Sequence, residues 1–179
     1  TPSTGRRGSG PSARPELPPA FPEGGAGRAR VTHRAQGGIR AYEESLILTM
    51  PFDDVRGLVK ESFAEQGFGT LTEIDMQQTL LTKVGRQMDR YVIVGACNPK
   101  LASAALDAEP LVGVLLPCNV VVREEAGKVH VDAMDPGLMG SMTGRKELQP
   151  VAAEARQLVN AALARISAAE KDGTDIIVT

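Results

Sequence analysis

Tryptophan is absent from this chain, and aromatic residues make up only 3% of its 179 residues. A core built with so few rings must come from Val, Leu, Ile, Ala and Met, and apolar residues at 42% supply enough of them. Histidine occurs only at positions 33 and 130, which excludes a histidine-rich metal centre. Two cysteines are too few for a disulfide scaffold, so reduced thiols are the default expectation. A bridge between Cys97 and Cys118 stays open if their strands are neighbours. No apolar run approaches the ~20 residues of a membrane-spanning helix, and no hydrophobic stretch of the secretory-signal type is present. A soluble, cytoplasmic protein without membrane contact is the expectation. Walker-type phosphate loops, the Gly-x-Gly-x-x-Gly fingerprint and the Gly-x-Ser-x-Gly elbow are all missing, so nucleotide-driven and serine-hydrolase chemistry have no support.

Charge is unevenly spread. Residues 1–40 carry seven arginines against Glu16 and Glu23, a surplus of five positive charges within a total of −2. The remainder is therefore at −7. The same 40 residues hold six of twelve prolines and eight of nineteen glycines, and they show no apolar periodicity. Such a segment cannot bury enough surface to offset its ordering entropy, and disorder is expected there. With no lysine and almost no aromatic side chain in it, a nucleic-acid-binding role is not expected. The domain itself is expected over 41–170, followed by a short extension over 171–179.

Within that domain, alternation over Tyr42–Met50 predicts a half-buried strand with Leu46, Leu48 and Met50 on one face. Asp53 or Asp54 is then expected to cap a helix with Val55, Leu58, Val59, Ser62 and Phe63 inward, ended by Gly67. Phe68–Ile74 reads as a second strand. A short helix capped by Asp75 and ended by Gly85 follows, with Met76, Leu80 and Val84 as its inner stripe. Tyr91–Ala96, apolar nearly throughout, is expected to be central in the sheet. Asn98-Pro99 has the pattern of an N-cap followed by the first helical residue. Leu111–Glu124 reads as one long strand bent at Pro117, placing Val112, Val114, Leu116, Cys118, Val120 and Val122 on one side. A turn at 125–128 leads to a returning strand over Val129–Met134. A Gly- and Met-rich loop or helical turn over 135–147 and a long helix over Leu148–Ala169 close the domain. Ile176–Val178 reads as a stray strand or a disordered end. Hairpin-linked strands favour α+β over a doubly wound α/β fold: a mainly antiparallel sheet with helices on one face.

Three blocks, GFGTLTEIDM at 67–76, VGACNPKLASAAL at 94–106 and VGVLLPCNVVV at 112–122, resemble those of the domain of unknown function 302 family. The resemblance spans about Tyr42–Ile166. It implies a compact α+β domain of the TATA-box-binding-protein-like class, small and often dimeric. It brings no established reaction.

The unusual residues concentrate in two Cys-Asn pairs, each beside a proline. Cys97 precedes a helix start, where unpaired N–H groups and the helix dipole lower a thiol pKa, so it is expected to be the more reactive thiol. Cys118, inside an apolar run, is expected to pack. Asn98 is most simply a cap. Asn119 has no such local task and suggests a polar pocket or turn if buried. Glu73 is a candidate base or cation ligand at a strand end. Two cysteines 21 residues apart without Cys-x-x-Cys do not make a zinc site in one chain, although a dimer axis can pool ligands.

No complete catalytic set is present and no cofactor is implied. The first reading is a non-enzymatic homodimeric binding module with a small-molecule pocket near Cys97, Asn98, Cys118 and Asn119. A thiol protein handling redox equivalents, sulfur or a soft metal is the second. A purely structural or interaction domain is the third.

Overall fold

Five strands carry the fold: β1 (Glu43–Leu48), β2 (Gly69–Asp75), β3 (Tyr91–Cys97), β4 (Cys118–Glu125) and β5 (Lys128–Met134). They form one antiparallel sheet in the order β1-β5-β4-β3-β2. The computed structural model describes residues 42–174, with side chains through Glu170. The expectations for residues 1–40 and for Ile176–Val178 lie outside the described residues.

The inner face of the sheet follows from strict alternation. Val92, Val94 and Ala96 on β3, Val120 and Val122 on β4, and Val129, Val131 and Ala133 on β5 are all buried. They pack against two helices, α1 (Phe52–Glu65) and α5 (Gln149–Thr174). The helices contribute the stripes their 3.6-residue spacing dictates: Val55, Val59 and Phe63 from α1, and Val159, Ala162 and Ile166 from α5. Each fully buried Val, Leu or Phe contributes roughly 1.5–3 kcal/mol by leaving water. Ser62, buried between the two helices, accepts a hydrogen bond at 2.8 Å from the Arg165 guanidinium of α5. The expected α+β class, with helices on one face of an antiparallel sheet, is the observed one.

Several local expectations change. Pro51, not an aspartate, occupies the N-cap of α1 and makes no side-chain cap. Asp53 instead lies in the first turn, where a carboxylate suits the helix dipole. There it accepts from Arg90 at 2.7 Å, and Arg90 also stacks 4.1 Å over the Phe52 ring. Asp75 does cap α2 (Met76–Val84), accepting from the Gln78 amide at 2.8 Å, and Gly85 ends it in the left-handed region. Yet α2 has no fully buried residue: Met76 and Leu80 of the expected stripe are half-buried, and Val84 is 69% exposed. Strand β3 is interior, but the middle position belongs to β4.

The larger correction concerns the segment before β4. Leu111–Leu116 is not the first half of a bent strand. Glu109 ends α3 (Pro99–Ala108), and a 3-10 helix over Pro110–Leu115 follows, with Glu109 accepting from the Leu111 amide. A cis Leu116–Pro117 bond then delivers the chain into β4. Val112 is buried, whereas Val114 faces outward at 86% exposure, so the six residues expected on one side divide between two. The alternating apolar pattern there had a competitor: proline at position 110 favours a helical start as readily as it ends a helix.

A second, smaller core lies beside the sheet, under α3, α4 (Leu138–Thr143) and the start of α5. It is formed by Ala105, Val112, Met139, Leu148, Ala152 and Ala155. Asp135 fastens this layer, accepting from Arg156 Nε at 2.6 Å and from the Gly137 amide at 2.8 Å.

Candidate functional site

The end of β3 and the start of β4 are adjacent, with Ala96 opposite Cys118 in the register. The chain leaves the sheet after Cys97, passes through α3 and the 3-10 helix, and re-enters at Cys118. Both thiols, Asn98 and Met139 line one cleft, with Phe68, Leu101, Leu116 and Val151 among the apolar side chains around them. Among the described residues, none that lines it is acidic or basic. The internal volume is about 20 Å³, the room of roughly one water molecule. Both cysteines are free, Cys97 partly exposed and Cys118 buried.

Asn98 caps α3 as expected. Its Oδ1 accepts from the amides of Lys100 at 3.1 Å and Leu101 at 3.3 Å, and its backbone oxygen accepts from Ala102 at 2.9 Å. Its Nδ2 reaches toward the Gln66 carbonyl at 3.5 Å, tying the start of α3 to the end of α1. Gly67, at φ +80°, makes that approach feasible, since a Cβ there would stand 3.2 Å from Nδ2.

The capping that sequence predicts removes the effect expected at Cys97. Pro99 has no N–H, and the next three amides are all taken by Asn98, so no helix-end donor is left for the sulfur. Burial instead pushes the Cys97 thiol up from its ordinary value. Cys118 is pushed up to about 11, by burial first and then by the charge Cys97 would carry. Both thiols are protonated at neutral pH.

The other expected site residues lie elsewhere. Asn119 is exposed and projects from the face of the sheet opposite Cys118, as successive strand residues must. Glu73 reaches α1, where it pairs with Lys60 at 3.1 Å and Arg56 at 3.5 Å. Neither lines the cleft. Among the described residues, no three His, Cys, Asp or Glu side chains gather into a metal-binding group.

Sequence reading passed over two polar assemblies. One is the Asp135–Arg156 clamp, whose only local signal was an aspartate before Pro-Gly. The other covers part of the sheet's outer face. Arg123 Nε donates to Asp132 at 2.8 Å and Ser45 donates to the same carboxylate at 2.7 Å. Arg123 also donates to Glu125 at 2.5 Å and lies 3.3 Å from His130 Nδ1. Alternation along β5 puts His130 and Asp132 on this face. The arginine between them was not recognised.

These features define a small α+β domain with an open five-stranded antiparallel sheet and a thiol-lined cleft beside it. The family model described as domain of unknown function DUF302 matches residues 45–166, and the chain belongs to that family. It is similar to an uncharacterized conserved protein of the same family from Bacillus stearothermophilus, known from a crystal structure. The two share 26% identity over 71% of this chain and 99% of that one, with a TM-score of 0.67. No curated protein matches the chain. No helix among the described residues is long and apolar enough to cross a membrane.

Proposed function

We propose that this chain is a non-enzymatic binding module whose ligand enters the cleft lined by Cys97, Asn98 and Cys118. The supporting observation is that both thiols line one cleft whose described lining offers no carboxylate, imidazole or ammonium to activate them. A thiol acts as nucleophile or base only when a neighbouring base or a lowered pKa activates it, and burial raises both thiols here. A ligand larger than a water molecule has to part the side chains at the mouth, which favours a small, soft or apolar species. A reducing compartment such as the cytoplasm, where both thiols stay free, fits this reading. Native-state labelling with methyl methanethiosulfonate tests it. Cys97, the more exposed thiol, should label before unfolding and Cys118 after it. If neither labels until the protein unfolds, the cleft is closed to ligands and the structural reading takes its place.

The module acts as a homodimer through the uncovered sheet face. Ile74, Ile93 and Val121 are register neighbours and form an apolar row across β2, β3 and β4. That row continues into the polar Asp132 and Ser45 on β5 and β1. An apolar half beside a polar half suits an isologous contact with a second copy, apolar strip at the axis and polar groups at the rim. Sedimentation velocity at micromolar concentration should give a dimer for the native protein and a monomer for Ile93→Glu. A native protein that sediments only as monomer would overturn this part.

A further inference from the structure

We propose that Cys97, Cys118 and Met139 form a binding site for one soft monovalent cation of the Cu(I) or Ag(I) type. The inference rests on the binding-module reading and names the ligand class of the same cleft. Both cysteines of the chain and one of its six methionines line a single cleft. They come from three separate places: the last residue of β3, the first of β4, and α4. Met139 is itself 3% exposed, so its thioether belongs to the interior rather than to a surface where methionine has no partner.

The remaining lining selects against other ions. Thiolate and thioether sulfur favour Cu(I), whereas Mg, Ca and Mn take carboxylate, carbonyl and water oxygens. No carboxylate lines the cleft, and the single side-chain oxygen there, Asn98 Oδ1, already accepts two amide hydrogens. Zinc sites use four ligands, or three with an open position, drawn from thiolate, imidazole and carboxylate, and this cleft has two cysteines and no imidazole or carboxylate. Charge points the same way. A monovalent ion that replaces one thiol proton forms a metal–sulfur bond, releases H⁺ to solvent and leaves the apolar cleft neutral. The second sulfur and the thioether then donate lone pairs, and no electron changes hands. A volume of about 20 Å³ accommodates an ion and excludes an organic ligand of ordinary size. The Asp135–Arg156 clamp holds the chain entering α4, the element that brings Met139 into the lining of this cleft.

The test uses the full, reduced chain under anaerobic conditions. Ag⁺ is titrated directly and Cu(I) is titrated against a chromogenic Cu(I) chelator, with Zn²⁺ as competitor. One equivalent of either monovalent ion per chain should bind and resist Zn²⁺ in excess. Met139→Leu conserves volume and should fold. It should weaken binding by roughly tenfold or more, the scale on which even outer groups around a metal act. Cys97→Ser should abolish stoichiometric binding. The proposal is overturned if no stoichiometric binding survives the chelator, if Zn²⁺ displaces the ion, or if Met139→Leu binds as tightly as the native chain. Native-state methanethiosulfonate labelling of Cys97 separates the two levels of failure. Labelling without metal binding removes only the metal, whereas absence of both removes the cleft as a ligand site.

Discussion

Raising the pH should unfasten this protein through Cys118, and the size of the effect follows from its burial. The thiol ionises near 9.0 when the chain is unfolded and at about 11 when folded. Between these values the unfolded chain has lost a proton that the folded chain keeps, so stability falls as pH rises. The contribution is intact below about pH 9 and is lost progressively up to about pH 11. A gap of about two pH units at 1.36 kcal/mol each amounts to about 2.7 kcal/mol. Cys118→Ala isolates this term, because lysine and tyrosine titrations are common to both proteins. At pH 7 the native chain should be the more stable by about 1 kcal/mol, the packing of a small buried group. By pH 11 the order should be reversed by between 1 and 2 kcal/mol, as estimated from the same linkage. Urea denaturation with a non-thiol reductant, at unit steps from pH 7 to 11, reads the difference directly. Parallel stability curves for the two proteins across that range would refute the argument, since they would mean that the folded thiol ionises as readily as a free one.

Other substitutions test the supports of the cleft. Asp135→Ala removes a carboxylate that is 6% exposed and doubly held by Arg156 and the Gly137 amide. Because the arginine side chain is 42% exposed and can be rehydrated, the expected loss in urea denaturation is about 2–4 kcal/mol rather than the full cost of breaking a buried pair. Asn98→Ala should cost about 1 kcal/mol through the lost cap. It should also raise hydrogen exchange at the Lys100 and Leu101 amides, and unchanged exchange there would contradict the capping geometry. Gly95→Ala places a Cβ against Thr72 Oγ1 and 2.8 Å from Pro117 Cγ. A destabilisation of about 1–3 kcal/mol is expected from such overpacking, and a neutral result would show that β2 yields freely.

The parts of the fold legible in sequence were those where one physical signal acted alone. The stripe Val55-Val59-Phe63, the Asn98-Pro99 helix start and the hairpin turn at 125–128 each depend on neighbouring residues only. Leu111–Leu116 defeated the same method because two signals competed, an alternating apolar pattern and a proline that opens a helix. The failure at Cys97 was of another kind. The helix start was recognised, but its donors were counted as available although Asn98 and the proline leave none. The pattern over 135–147 predicts only a loop or helical turn around Met139, because nothing local indicates that residues 97, 118 and 139 converge. Asp135 and Arg156 lie 21 positions apart, and their pairing is equally invisible to any local pattern.

Strand order also dictates when this protein can finish folding as it is made. Among the described residues, strand β1 pairs only with β5, and Leu48 lies opposite Val129 and Glu43 opposite Met134. The ribosome must therefore add some eighty to ninety further residues before β1 has a partner. At about 5–20 residues per second, the wait is on the order of 4–18 seconds. The contact between α1 and α5 forms later still, because α5 is the last of the described elements to emerge. During that interval Leu48 and Val55 lack the β5 and α5 side chains of the finished core, and a nascent chain stalled before Val129 would present them to chaperones.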